Sequence, residues 1–160
     1  QEFNLRAGTE NLPGIVGIGK AAELKREKFS SNIKKTAGLR DCFEKKILQV
    51  IPKTKINGTL EHRSGNSTNI HFHGIDGQAL VARLDQLGIR CSQSSACTNM
   101  RPEPSYVLRA MGLSEREAYS SIRFSFSELN TLEEVDLAVE AISKLCEKLR
   151  PISELLYSSQ

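Results

Sequence analysis

Thr131 and Glu134 stand three residues apart and open a run in which Val135, Ala138, Val139, Ile142, Cys146 and Leu149 recur at helical spacing. The pair reads as a capping box, hydroxyl and carboxylate each satisfying a backbone N–H that the first helical turn leaves unpaired. Pro151 is expected to end this helix. A single apolar stripe of that length is stable only under another layer, which the rest of the chain must supply.

Several upstream segments are suited to that task. Asn11 and Pro13 suit a helix start, and residues 11–51 read as two helical pieces joined near Gly38. The first piece carries Ile15, Ile18 and Ala22; the second carries Leu39, Phe43, Ile47 and Val50, with Pro52 just beyond. Residues 54–73 read as extended, with turn signals at Asn57-Gly58 and Ser64-Gly65-Asn66. Alternation there puts Thr68, Ile70 and Phe72 on one face and Asn69, His71 and His73 on the other. Asp76 caps a helix striped by Leu80, Val81, Leu84 and Leu87 and stopped by Gly88, and Ile89 to Ser92 reads as a short strand. Residues 93–103 have no period and read as an exposed loop. A helix carrying Tyr106, Val107, Ala110 and Met111 then runs from Pro104 to Gly112, and Ser114 with Glu117 forms a second capping box. In the strand that follows, Ile122, Phe124 and Phe126 face one way and Arg123 and Ser125 the other. The expected fold class is α+β: a small sheet covered by helices.

Composition narrows the function. A chain of 160 residues with 39% hydrophobic and 26% charged residues has the size and core of one domain. No apolar run approaches the roughly 20 residues of a membrane span, no secretory signal opens the chain, and a net charge of +3 does not call for nucleic acid. The charge is uneven: residues 20–46 carry nine basic and four acidic groups, residues 114–149 eight acidic and four basic. A solvated helix face accounts for the basic run, with docking of an acidic partner as the other reading. Cys42, Cys91, Cys97 and Cys146 have no CxxC spacing and read as reduced thiols in a cytoplasmic protein. The chain begins at Gln1, which suits a processed protein or a piece of a longer one.

Four features bear on chemistry. Gly14 to Lys20 matches a phosphate-loop pattern, but Ala21 stands where Ser or Thr would hold magnesium and no strand precedes it, so nucleotide binding is rejected. His71 and His73 lack further ligands at metal spacing and read as a solvent-facing or edge-strand pair. Cys42 and Cys146 fall on apolar stripes, and Cys91 is assigned to packing. Cys97 instead lies among small residues of the aperiodic loop, where a thiol has the access a nucleophile needs. Arg123 is a lone cation in an apolar strand, open to a structural ion pair or to a bidentate grip on a small carboxylate.

Ser95-Ala96-Cys97-Thr98, Glu103-Pro104-Ser105-Tyr106-Val107-Leu108-Arg109-Ala110-Met111-Gly112 and Ser121-Ile122-Arg123-Phe124-Ser125, in that order, resemble the carboxy-terminal part of a cysteine desulfurase. The resemblance is to the NifS/IscS branch of the class V aminotransferases, and Arg6 to Gly14 is similar to that family's segment near the end of the large domain. It implies the carboxy-terminal small domain of a fold type I enzyme using pyridoxal 5'-phosphate, with residues 1–28 as the tail of the large domain and interdomain helix, and 29–160 as the small domain. It further implies that Cys97 takes sulfur from L-cysteine as a persulfide, leaving L-alanine, and that Arg123 binds the substrate carboxylate. Thr9 matches a threonine that reaches the cofactor phosphate of the other subunit in a homodimer. A sulfur acceptor such as an iron–sulfur scaffold is the implied partner, with neither nucleic acid nor membrane.

The chain departs from the family pattern in three places. Ser94 replaces a usual glycine, Ser127-Glu128 replaces a frequent Gly-Arg and reverses a charge, and no Ser-x-His-Lys segment for the Schiff base occurs. The chain alone is therefore expected to be inactive. Selenocysteine lyase, and a cofactor-independent sulfur-relay module, are the alternatives. Residues 12–30 are apolar enough on one face to require packing against another chain.

Overall fold

The computed structural model describes residues 2–93 and 104–157 of the chain. After a short 3-10 turn at Glu2–Asn4, the elements are α1 (Leu12–Val50), β1 (Thr54–Ile56), β2 (Ser67–Phe72), α2 (Gly77–Gln86), α3 (Tyr106–Ala110), α4 (Glu115–Tyr119), β3 (Ser121–Ser125) and α5 (Leu132–Tyr157). The α+β class is as expected.

The strands form an antiparallel sheet in the order β1-β2-β3. Ile70 and Phe72 of β2 and Ile122 and Phe124 of β3 are buried on one face, where α1 packs on β2 and α2 on β3, and α5 packs against both helices in the same core. Phe43 of α1 packs its ring 4.9 Å from Phe124 and 5.5 Å from Phe126. From α5 come Val135, Val139, Ile142 and Cys146, all buried. Its capping box is reciprocal: the Glu134 N–H donates to Thr131 Oγ1 at 3.2 Å and the Thr131 N–H to Glu134 Oε2 at 3.1 Å. The Ser114–Glu117 box at α4 is formed in the same way.

Several expectations need correction. α1 is one continuous helix of 39 residues, not two pieces. Gly38 lowers helix propensity by about 1 kcal/mol, but neighbouring anchors such as Arg40, which donates to the Ser64 carbonyl at 2.7 Å, hold that turn. The buried row of α1 is Leu39, Phe43, Ile47 and then Ile51, while Val50 is exposed, because a step of four continues the row. Leu87 also lies outside the core, as the exposed C-cap residue of α2. Residues 89–92 make only an isolated bridge, at Ser92, rather than a strand. α5 continues through Pro151 to Tyr157. Tertiary bonds flank that proline: Arg150 donates to the Pro52 and His73 carbonyls, and Ser153 Oγ accepts from the Asp76 N–H. His71 is neither exposed nor on an edge, since β2 is the central strand and His71 is 9% exposed beneath α4.

Charge asymmetry along the sequence becomes complementarity in the fold. Lys46 of α1 pairs with Asp136 of α5. Lys25 meets the Glu128 carboxylate at 2.9 Å and Lys35 donates to the Glu128 carbonyl at 2.5 Å, so lysines of α1 absorb the reversed charge at Glu128. The amino-terminal half of α1 is different. Leu12, Ile15, Val16, Ile18, Leu24 and Phe29 are all exposed, and the first buried residue of the helix is Thr36. Gly14 to Lys20 lies within this helix, which presents no phosphate-binding loop. No described helix is long and apolar enough to cross a membrane.

Candidate functional site

The sheet face opposite the core carries Asn69 and His71 of β2 and Ser121 and Arg123 of β3. Asn69 of β2 and Arg123 of β3 are register partners, which puts their side chains on that same face with Cβ atoms about 5 Å apart. Ser121, two residues before Arg123, shares the face. Arg123 is exposed, and its guanidinium has no ion-pair or hydrogen-bond partner among the described residues. Of the two readings of Arg123 in the sequence, the structural ion pair is therefore not made within the described chain. The backbone around it is fixed: the Arg123 N–H donates to the Ser92 carbonyl at 2.7 Å, and the Ser92 N–H donates to the Arg123 carbonyl at 3.0 Å.

Arg123 lines a cleft of about 700 Å³. Asn57, Thr59 and Arg63 border it from the β1–β2 connection, Tyr106 and Val107 from α3, and Gln93 from the segment beside Ser92. The helix expected from Pro104 to Gly112 is present as the shorter α3. Leu108 is the buried residue, while Tyr106, Val107 and Met111 are exposed, because a helix of five residues buries one side chain and turns the others outward. Arg63 does not compete for an anion in the cleft, since both its terminal nitrogens are held by Glu44 at 2.5 and 2.7 Å.

Hydrogen bonds order the polar face. The Ser121 hydroxyl donates to the Glu117 carbonyl at 2.6 Å, and Asn57 Nδ2 donates to Ser121 Oγ at 2.9 Å and to Asn69 Oδ1 at 2.7 Å. His71 sits behind, its Nδ1 3.3 Å from the Glu117 carbonyl and 3.2 Å from Ser120 Oγ. Burial lowers its pKa against the opposing pull of the Glu117 carbonyl. No cluster of three or more His, Cys, Asp or Glu suited to a metal occurs among the described residues.

The other predicted site residues lie apart from Arg123 or outside the described structure. Cys97 is outside the described residues. Thr9 is exposed ahead of α1, its carbonyl accepting from Arg6 at 3.1 Å, and it lines neither the Arg123 cleft nor the smaller one beside it. Cys146 is buried as expected, its thiol pushed up to about 12 by burial. Cys42 and Cys91 are partly buried against the core, and burial raises Cys91 to about 11. Neither Cys91 nor Cys146 is poised as a nucleophile.

Residues 1–138 match the family model for class-V aminotransferases. The chain belongs to that family. A cysteine desulfurase of Nostoc sp. is 46% identical over 153 residues, covering 96% of this chain and 38% of its own length. The cysteine desulfurase IscS of Anaeromyxobacter dehalogenans is 43% identical over 154 residues, again 96% and 38%. Among solved structures, a NifS-like protein superposes with a TM-score of 0.78 at 33% identity, covering 93% of this chain and 37% of that one. A NifS-like protein from Rickettsia africae gives 0.77 at 34% identity, with 92% and 38% covered. The chain thus spans just over a third of the length of the relatives it matches.

Class-V membership implies pyridoxal phosphate in the full enzyme. The residues present do not assemble that site: no lysine lines the Arg123 cleft, and the chain has no Ser-x-His-Lys segment. Sequence reasoning found Arg123 but not its neighbours Asn57, Asn69 and Ser121. Strand alternation signals that Asn69 faces away from the core; only the register of three strands sets it beside Arg123.

Proposed function

We propose that this chain is the carboxy-terminal portion of a cysteine desulfurase, and that its cleft receives the carboxylate of L-cysteine. The observation that carries the reading is Arg123: a guanidinium on a bonded strand, facing a cleft, with no carboxylate of the described chain against it. A planar, permanently charged fork of this kind binds a small carboxylate through two parallel hydrogen bonds. Cys97 is the sulfur acceptor in this reading. It stands five positions after Ser92, whose backbone is bonded to Arg123, and five extended Cα–Cα steps span at most about 18 Å.

The net reaction needs no external oxidant. The Cys97 thiol and L-cysteine give a Cys97 persulfide and L-alanine: one S–S bond forms, the substrate C–S bond breaks, and the carbon takes up a proton with the electron pair of the broken bond. Pyridoxal phosphate would supply the electron sink, and the chain has no Ser-x-His-Lys segment to hold it. This chain contributes the carboxylate grip, the accepting thiol and, from the resemblance, Thr9 toward the cofactor phosphate of a second subunit. Residues 1–28 belong to the large domain and interdomain helix and 29–160 to the small domain. The exposed apolar residues of α1 support that division, as do burials that begin only at Thr36. The persulfide passes to an acceptor protein such as an iron–sulfur scaffold.

The test is made in the protein that joins this chain to its cofactor lysine. L-Cysteine is expected to yield L-alanine and a persulfide located on Cys97 by mass spectrometry. Arg123→Ala should raise KM for cysteine about 100-fold. Retained desulfuration in a Cys97→Ala protein would overturn the role of Cys97, and an unchanged KM in Arg123→Ala the role of the arginine.

A further inference from the structure

The polar face beside Arg123 has an amide whose orientation is determined by its neighbours. The Glu117 carbonyl can only accept, so the Ser121 hydroxyl, 2.6 Å away, donates its single proton there. Ser121 Oγ must then accept the 2.9 Å bond from Asn57, which sets Asn57 with its Nδ2 toward both Ser121 and Asn69. Asn57 Nδ2 spends its two protons on Ser121 Oγ and Asn69 Oδ1, so Asn69 has its oxygen toward Asn57 and its Nδ2 turned away. Asn69 Nδ2 has no partner among the described residues, and Asn69 lines the Arg123 cleft as that arginine's cross-strand partner.

We propose that Asn69 is a second carboxylate-binding residue: its Nδ2, aimed by the Asn57–Ser121–Glu117 relay, donates to the same carboxylate that Arg123 grips. A guanidinium alone sets charge and plane; a second donor at one side fixes which carboxylate oxygen lies deeper and hence how the rest of the substrate is turned. Asn57 and Ser121 are positioning residues in this arrangement, with no direct contact to substrate. The inference rests on the cysteine reading for the substrate, but not for the carboxylate class.

The experiment uses the cofactor-loaded protein containing this chain and follows binding by calorimetry, with 3-mercaptopropionate as the carboxylate probe and 3-mercaptopropionamide as its uncharged counterpart. Asn69→Ala should weaken the acid about tenfold, the loss expected for one hydrogen bond to a charged group, and leave the amide unchanged. With L-cysteine, the same variant should raise KM with kcat within about twofold. If Asn69→Ala weakens acid and amide alike, Asn57→Asp decides, because an acceptor at 57 turns the Asn69 amide around and places its oxygen toward the carboxylate. Selective loss of the acid in that variant, absent when Asn69→Ala is already in place, supports the proposal; a loss that persists without Asn69, as repulsion by the new carboxylate alone would give, or an unchanged acid affinity, overturns it. Acid binding within twofold of wild type in Asn69→Ala also overturns it. Failure of the cysteine reading is separate: acid binding would follow Asn69 and Arg123, yet no alanine would form from cysteine.

Discussion

Arg63 and Glu44 face each other across the boundary between α1 and the β1–β2 connection, joined by two parallel bonds of 2.5 and 2.7 Å, with Glu44 only 5% exposed. Asp41 stands 3.7 Å from the same guanidinium, and Arg40 holds the neighbouring Ser64 carbonyl. One turn of a long helix therefore fastens the connection that borders the cleft. Glu44 also holds the Arg63 pKa above its ordinary value, chiefly through these hydrogen bonds.

Removing one member of this pair strands a charge away from water. Glu44→Ala is expected to lose about 3 kcal/mol in urea unfolding, whereas the double replacement Glu44→Leu with Arg63→Met should lose less than either single change. Single variants within about 0.5 kcal/mol of wild type would show that the pair carries no weight.

Glycine at 77 is required by contact. A methyl group there would run into the Tyr119 carbonyl and press on Gln93. Gly77→Ala should cost about 2 kcal/mol, read as a lowered unfolding midpoint. Gly38→Ala is the contrasting case: nothing lies within 4 Å of an added Cβ in the middle of α1, so stability should rise by about 0.5–1 kcal/mol.

Cys91 and Cys146 should both resist labelling in the folded protein. At pH 8 a thiol raised to about 11 is ionised in roughly one molecule in a thousand, and one raised to about 12 in roughly one in ten thousand. Iodoacetamide labelling read by mass spectrometry should therefore find Cys91 and Cys146 at least tenfold slower than glutathione in the folded protein. All should converge in denaturant. Fast native labelling of Cys146 would contradict its burial.

His71 links folding to acidity. Its pKa is lowered in the folded state, first of all by burial, so the unfolded chain takes up a proton at higher pH than the native protein does. Above about pH 6.5 both states are neutral at this position and it adds no pH dependence. As pH falls through about 6.5, protonation favours the unfolded state and stability declines. Unfolding midpoints between pH 8 and 5.5 should fall more steeply for wild type than for His71→Asn, while the carboxylates with lowered pKa act only at lower pH. Equal slopes would remove His71 as the cause.

Local rules written into the chain account for both capping boxes, the Asp76 cap, the β3 alternation and the apolar row Val135–Ala138–Val139–Ile142–Cys146, because each depends on residues a few positions apart. The order of motifs around Cys97 and Arg123 was enough to name the family, which residues 1–138 bear out. What depends on distant partners was not legible. Gly38 and Pro151 read as breaks, yet both lie inside continuous helices flanked by tertiary bonds from Arg40, Arg150 and Ser153. His71 and His73 read as an exposed pair until α4 closed over the first. The basic and acidic halves of the chain read as surfaces until Lys25, Lys46, Glu128 and Asp136 met between α1 and α5. Arg123 stood out by itself as a cation in an apolar strand, a property of its immediate neighbours. That it has Asn69 beside it, and no counter-ion among the described residues, was decided only when β1, β2 and β3 took their register, because cross-strand neighbours are set by pairing and not by proximity along the chain.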